Sequence, residues 1–100
     1  MIKKLRLKNK ITQEKLQKYF FITGEALEKC KISMSKERLA EAKDFFDMAS
    51  RYYDDAKYFE SKGDYVLAYA ALNYAHGWLD AGARIRLFNV KDSKLFTVDD

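Results

Sequence analysis

The chain has 100 residues, of which 48% are apolar and 34% charged, a composition typical of one folded domain and not of a disordered chain. Proline is absent, and glycine occurs four times and cysteine once, which favours long helices and excludes an internal disulfide scaffold. The net charge of +4 is uneven, because residues 1–38 are strongly basic and the remainder is slightly acidic.

The N-terminal segment, residues 1–11, is basic and is predicted to be extended. Leu5 and Leu7 alternate with basic residues, a period of two. Basic residues here and in the first helix are candidate contacts to an anionic partner: Lys3, Lys4, Arg6, Lys8, Lys10, Lys15 and Lys18. A solvated end that keeps a small protein soluble explains the same pattern.

No apolar stretch of signal-peptide length follows these basic residues, and the longest nearly apolar run, 65–72, is too short to span a bilayer. We therefore expect a cytoplasmic protein with no membrane partner.

The first helix is predicted over residues 13–32, with Thr12 as its N-cap. Its apolar stripe has helical spacing and comprises Leu16, Phe20, Thr23, Leu27 and Cys30. Cys30 is therefore expected to be a buried, inert thiol. Phe21 lies off the stripe, where the tail or a partner is expected to cover it.

The second helix is predicted over residues 36–62, with Ser35 as its N-cap. Its apolar positions recur in steps of three and four: Leu39, Ala42, Phe45, Phe46, Ala49, Tyr52, Tyr53, Ala56 and Phe59. Tyr58 lies on the opposite, acidic face and is a candidate partner contact. Gly63 is expected to end this helix in a left-handed conformation, and Asp64 to cap the next, so the short link makes the two helices antiparallel.

The third helix is predicted over residues 65–88 and to be the most buried element. One face holds Leu67, Ala70, Ala71, Tyr74, Trp78, Ala81, Gly82 and Ile85, and Ala68, Leu72, Ala75, Leu79 and Ala83 widen it past half the circumference. Such an arc needs more than one packing neighbour. Gly77 and Gly82 are expected to permit close approach by a neighbour.

Together these elements predict an all-α fold, an antiparallel up-down three-helix bundle in a single domain spanning residues 1–100. The C-terminal tail, residues 89–100, either lies along the bundle or pairs with residues 4–8 as a small ribbon.

A narrow polar stripe on the third helix contains Asn73, His76, Asp80 and Arg84. His76 and Asp80 could supply two metal ligands, but no third is nominated, and we predict neither a metal nor a cofactor. The simpler interpretation is a His76–Asp80 hydrogen bond and an Asp80–Arg84 ion pair. The chain has no phosphate-binding glycine loop and no catalytic triad, so no catalytic residue is assigned.

The run KGDYVLAYAALNYAHGWLDAGARIRLF (62–88), most specifically Ala71 to Gly82, resembles the archaeal domain of unknown function 357 family, as does the preceding YYDDAKYFESKGD. The resemblance covers about residues 12–90. It implies a short cytoplasmic archaeal three-helix protein with no assigned activity and no catalytic residues to transfer. The turn after residue 61 is also similar to that of a tetratricopeptide repeat, although one helical pair is not an array.

Three functions remain open. The leading one is a non-catalytic interaction or scaffold domain that binds another protein or its own copy, because the third helix has a wide apolar arc. The alternative is a nucleic-acid-binding module that uses the basic N-terminal third. An enzyme ranks third, and it predicts a concave pocket beside the polar stripe.

Overall fold

The computed structural model describes residues 5–98, which contain three α-helices: α1 (Gln13–Lys31), α2 (Leu39–Ser61) and α3 (Tyr65–Arg84). Phe45 of α2 packs on Trp78 of α3, and Tyr52 packs on Tyr74. A later residue of α2 thus meets an earlier residue of α3, which makes these helices antiparallel. The predicted all-α, three-helix architecture is confirmed. Within the described residues, no helix combines the length and apolar character needed to cross a membrane.

Small residues form the seam between α2 and α3, the most extensively packed pair of helices. Ala42, Ala49 and Ala56 recur every seven residues and are fully buried. Ala68 and Ala75 of α3 have the same spacing and are also fully buried. Because a seven-residue repeat keeps one side of a helix on its partner, these alanines let the two backbones approach closely along most of their length.

The predicted caps at Thr12, Gly63 and Asp64 are confirmed. The Thr12 hydroxyl accepts a hydrogen bond from the Lys15 backbone N–H at 3.1 Å, and Asp64 accepts one from Leu67 at 3.0 Å. Gly63 has a φ of 74°, the left-handed conformation that ends a helix without a steric penalty.

The prediction that Ser35 caps α2 is wrong. The helix begins at Leu39, and the N-cap residue is Arg38, which makes no side-chain cap bond. Ser35 is buried, its N–H donates to the Leu87 carbonyl at 2.8 Å, and its hydroxyl donates to Glu37. The connection between α1 and α2 is thus hydrogen-bonded to the chain that follows α3. This contact holds Ser35 away from the start of α2, so that it cannot act as a cap.

The third helix ends at Arg84, four residues before the predicted end. Arg86 has a φ of 64°, and its N–H donates to the Ala83 carbonyl while that of Leu87 donates to Gly82. These two bonds form the Schellman arrangement that terminates a helix, with arginine where glycine is usual. The chain then turns back, so Leu87 and Phe88 are buried in the core.

A neighbouring side chain packs closely against only one of the two glycines within α3. A Cβ added at Gly82 would lie 2.4 Å from the Phe88 ring, so the prediction is confirmed there. A Cβ at Gly77 would meet no atom within 4 Å, so the prediction is wrong for that residue, which faces solvent.

The C-terminal segment, residues 89–98, lies along the bundle, the first of the two predicted alternatives. Its Phe96 is buried, and Asp92 forms a salt bridge with Lys29 of α1 at 2.7 Å. The only β-bridge among residues 5–98 joins Met34 to Phe88, so residues 5–8 do not pair with this segment.

Candidate functional site

The polar stripe of α3 is a binding site for the C-terminal segment. His76 contributes both ring nitrogens: Nδ1 lies 3.2 Å from the Thr23 hydroxyl of α1, and Nε2 lies 2.5 Å from the Leu95 carbonyl. A carbonyl can only accept, so Nε2 carries the proton that it donates to Leu95. The imidazole ring also stacks on Phe96. His76 therefore joins α1, α3 and the C-terminal segment, and does not make the predicted bond with Asp80.

Asp80 and Arg84 also bind the C-terminal segment, and both contact its residue Thr97. Both carboxylate oxygens of Asp80 accept hydrogen bonds from Thr97, one from its N–H and one from its hydroxyl, each at 2.5 Å. Arg84 donates to the Thr97 carbonyl at 3.4 Å. Both side chains thus contact Thr97, where the sequence predicted that they would pair with each other.

Asn73, the fourth stripe residue, is exposed. Its side chain hydrogen-bonds Tyr69, and this bond lowers the pKa of the Tyr69 phenol. Its partner is therefore the neighbouring turn of its own helix and not the C-terminal segment.

An open depression lies at the far end of the stripe, between α3 and the C-terminal segment. Among its lining residues are Arg84, Arg86, Phe88 and Lys91, but not His76 or Asp80. Residues 5–98 contain no group of three or more histidine, cysteine, aspartate or glutamate side chains able to hold a metal ion. Of the four stripe residues, only Arg84 lines this depression; Asn73, His76 and Asp80 do not.

Cys30 lies in the core, as predicted. Burial raises the pKa of its thiol to about 12, so the nucleophilic thiolate is scarce near neutral pH.

The two flanks of α3 differ in what covers them. Tyr69 and His76 contact Tyr19 and Thr23 of α1. Trp78 lies nine residues after Tyr69, which at 100° per residue places it about 180° further round the helix. This second flank faces away from α1, and α2 covers it only along one edge.

The uncovered flank carries a row of aromatic rings. Phe45 and Tyr52 of α2 meet Trp78 and Tyr74 of α3 edge to face, with ring centroids 5.0 and 4.4 Å apart. Leu67 and Ile85 lie beside this row, one near each end of α3. We call these six residues the aromatic flank: Phe45, Tyr52, Leu67, Tyr74, Trp78 and Ile85.

Solvent reaches much of the aromatic flank. Tyr74 is 51% exposed, and Leu67 and Ile85 are each 46% exposed. Trp78 is half-buried, and its indole N–H is buried without a hydrogen-bond partner in the described part of the chain. The flank is therefore an apolar surface about five helical turns long, the kind of surface that marks an interaction site.

The other predicted partner contacts lie apart from this surface. Phe21 is 69% exposed on α1, and Tyr58 is exposed on the far side of α2, beside Phe59 and the Lys62 ammonium group. Single exposed apolar residues are common on soluble proteins and indicate no site by themselves.

The basic residues of the N-terminal segment occupy a separate region. Arg6, Lys8 and Lys10 are exposed and precede α1 without helix or strand structure, whereas Lys3 and Lys4 lie outside the described residues.

The sequence placed Tyr74, Leu67 and Ile85 on the apolar face of the third helix, and the expectation was that neighbours would cover them. The centre of the buried stripe lies instead at Ala75 and Leu79. The seven-residue spacing of alanine was the signal that could have located the buried centre, because small residues mark where helices approach most closely.

Comparison with known proteins supports the family resemblance. A family model described as "Protein of unknown function (DUF357)" matches residues 18–88. No curated protein and no solved structure shows significant similarity to the chain. The matched region includes α2, α3 and most of α1, and it leaves out both the basic N-terminal segment and the C-terminal segment. The chain belongs to the DUF357 family.

Proposed function

We propose that this DUF357 protein is a non-catalytic protein-interaction domain of the cytoplasm and that the aromatic flank is its binding surface. The observation that carries the proposal is the exposure of Leu67, Tyr74 and Ile85 on one side of α3, in a row with three further rings. Water contacts these apolar groups in the free chain, so covering them with a partner is favourable, at roughly 25 cal/mol per Å² of apolar surface.

The chemistry of the flank suits protein recognition. Tyrosine and tryptophan are enriched in the centres of protein interfaces, because each gives a large, rigid contact area for the loss of only two side-chain torsions. Tyr74 and Trp78 are held in place by Tyr52 and Phe45, so little rotamer freedom remains to be lost on binding.

The arrangement of the polar stripe supports the non-catalytic part of the proposal. His76 and Asp80 are the side chains best suited to proton transfer, and both already bind the C-terminal segment through the atoms that catalysis would use. A substrate would have to displace residues 95–97 to reach them.

Charge placed on the flank tests the proposal. The double substitution Leu67→Lys/Ala81→Lys adds two ammonium groups to exposed positions on the flank side of α3. The matched control is Val66→Lys/Ala40→Lys, which makes the same change in charge at exposed positions pointing elsewhere on α3 and α2. Circular dichroism should show that both variants keep the wild-type helix content.

Each of the three proteins is immobilised and exposed to an extract of cells that naturally make it, and bound proteins are identified by mass spectrometry. The proposal predicts proteins that bind the wild type and the control in equal amounts and are lost with the flank variant. If the flank variant retains the same proteins as the control, the aromatic flank is not the binding surface.

A further inference from the structure

We infer that the occupant of the aromatic flank is a second copy of this chain, which inserts its basic N-terminal segment there. The inference rests on the proposed function, since it names the partner of the same surface. Three observations carry it: an apolar, basic segment whose residues 5–10 are exposed, an acidic border on the flank, and a flank long enough to receive that segment.

The N-terminal segment has the composition of a peptide that needs a partner. Leu5 is 85% exposed and Leu7 is 74% exposed. Arg6 lies between them and Lys8 follows, and both basic residues are exposed. In an extended chain, residues two apart point to the same side, so both leucines can lie against one apolar surface. The long basic side chains can then reach the border of that surface.

Ile11 anchors the segment to the rest of the molecule, because it packs against the buried cluster that contains Leu16. The residues immediately before it are exposed and make no regular structure with their own bundle. The aromatic flank of the same molecule is therefore left open by its own N-terminal segment.

The border of the flank carries the complementary charge. Asp44 and Asp55 are exposed on α2 and lie eleven residues apart, about three helical turns, so they share one side of the helix. Asp55 follows Tyr52 by three residues, which places this side next to the aromatic flank. Arg51 lies on the same side and is paired with Asp47 at 2.9 Å. Glu41 adds a carboxylate one turn earlier, where Arg38 pairs with it.

The charge asymmetry of the whole chain points the same way. Residues 1–38 carry eleven lysines and arginines against four acidic residues, whereas residues 39–100 carry eleven acidic residues against eight basic ones. Opposite charges on the two parts attract two copies in the orientation that brings the N-terminal segment of one to α2 of the other.

The flank is long enough to receive the described part of the segment. Residues 5–10 can span about 20 Å when extended. Leu67 and Ile85 are eighteen residues apart, or about 27 Å along the helix axis, so both leucines of the segment fit within this length. If each copy inserts its segment into the other, the contact is made twice and closes a two-fold symmetric dimer, the commonest form of soluble oligomer.

The test measures molar mass by sedimentation velocity over a range of concentrations, using the full chain. The arm variant Leu5→Ser/Leu7→Ser removes the apolar contacts and keeps every basic residue. The flank variant is Leu67→Lys/Ala81→Lys, and the control is Val66→Lys/Ala40→Lys. We expect a dimer for the wild type and control, and dissociation constants at least about tenfold higher for the arm and flank variants.

A mixture of the arm and flank variants gives the decisive readout. The flank variant retains an intact N-terminal segment and the arm variant retains an intact flank, so the mixture should form a dimer with one restored contact. Raising the salt from about 50 mM to about 0.5 M should weaken association of the wild type, because the charged groups are exposed.

Other results overturn the inference and are distinguishable from failure of the proposed function. If the arm variant dimerises like the wild type and the flank variant does not, the flank is an interface but the N-terminal segment is not its occupant. If the wild type is monomeric throughout, the second copy is not the partner, and the extract experiment alone decides whether the flank binds another protein. If a monomeric wild type and the arm variant bind short RNA equally at about 50 mM salt, the basic segment contacts nucleic acid instead.

Discussion

Two alanine substitutions in α3 should have opposite effects on stability. Gly77 and Gly82 both lie inside the helix, where glycine is unfavourable because the unfolded chain loses more conformational freedom on folding. A methyl group at residue 77 would meet open space. At residue 82 it would lie 2.4 and 2.7 Å from two carbon atoms of the Phe88 ring and 3.4 Å from Phe45.

The magnitudes follow from these contacts. Replacing an exposed mid-helix glycine with alanine gains roughly 0.5–1 kcal/mol, so Gly77→Ala should raise the melting temperature. At Gly82 the same gain is opposed by overpacking, which costs about 1–3 kcal/mol in a well-packed core. Phe88 is only 1% exposed, so its ring can move away only by disturbing the core residues packed around it. We therefore expect Gly82→Ala to be destabilising by about 1–2 kcal/mol.

Urea denaturation followed by circular dichroism measures both effects, with thermal melts as a second readout. For a domain of this size, each 1 kcal/mol corresponds to a shift of about 4–8 °C in melting temperature. The double variant Gly82→Ala/Phe88→Leu provides the control, because shortening the ring should relieve the clash and give a favourable coupling energy. If Gly82→Ala is as stable as Gly77→Ala, or if residues 82 and 88 show no coupling energy, the Phe88 ring does not restrict residue 82.

Further predictions concern the thiol, the histidine and one ion pair. Burial raises the pKa of the Cys30 thiol to about 12, so at pH 8 it should react with a thiol reagent only as fast as the protein unfolds. Measuring the reaction rate with and without urea checks this. His76→Ala should cost about 1–3 kcal/mol, because the buried Thr23 hydroxyl and the Leu95 carbonyl both lose a partner; faster amide exchange at residues 95–97 will accompany the loss of stability. Lys29 lowers the pKa of the Asp92 carboxyl below its ordinary value of 3.8, so this pair stabilises the fold above that pH and loses its effect as the pH falls through the lower, folded-state pKa. Melting temperatures of the wild type and Asp92→Asn should therefore converge in acid.

Local chemistry was enough to predict the three helices and most of their caps. The Thr12 and Asp64 caps depend on a side chain and a backbone N–H only three residues away, so the sequence contains both partners. The helix end at Gly63 is also local, because it depends on the left-handed conformation of that residue alone.

The errors lie where distant parts of the chain meet. Ser35 has the side chain of a helix cap, but residues after α3 take up its backbone N–H. Arg86 occupies a left-handed position that usually belongs to glycine, so the sequence contained no sign that α3 ends at Arg84. In both places the burial of Leu87 and Phe88 decides the local structure.

The polar stripe shows the same limit for a candidate site. Its members share one side of α3, which helical spacing correctly indicated. Spacing alone favoured contacts within the stripe, between residues four apart. His76 instead hydrogen-bonds Thr23 of α1 and residue 95, and Asp80 hydrogen-bonds residue 97. The positions of these partners depend on how distant parts of the chain pack on the helix.

The fluorescence of Trp78 reports whether a second copy covers the aromatic flank, because Trp78 is the only tryptophan of the chain and lies in that flank. Acrylamide quenching of its emission is measured as the protein concentration rises from about 1 µM to about 100 µM, a range that spans typical micromolar self-association. We expect quenching of the wild type to fall as the flank becomes covered, and quenching of Leu5→Ser/Leu7→Ser to stay constant. If quenching is independent of concentration in both proteins, or falls equally in both, the N-terminal segment of a second copy does not cover the flank.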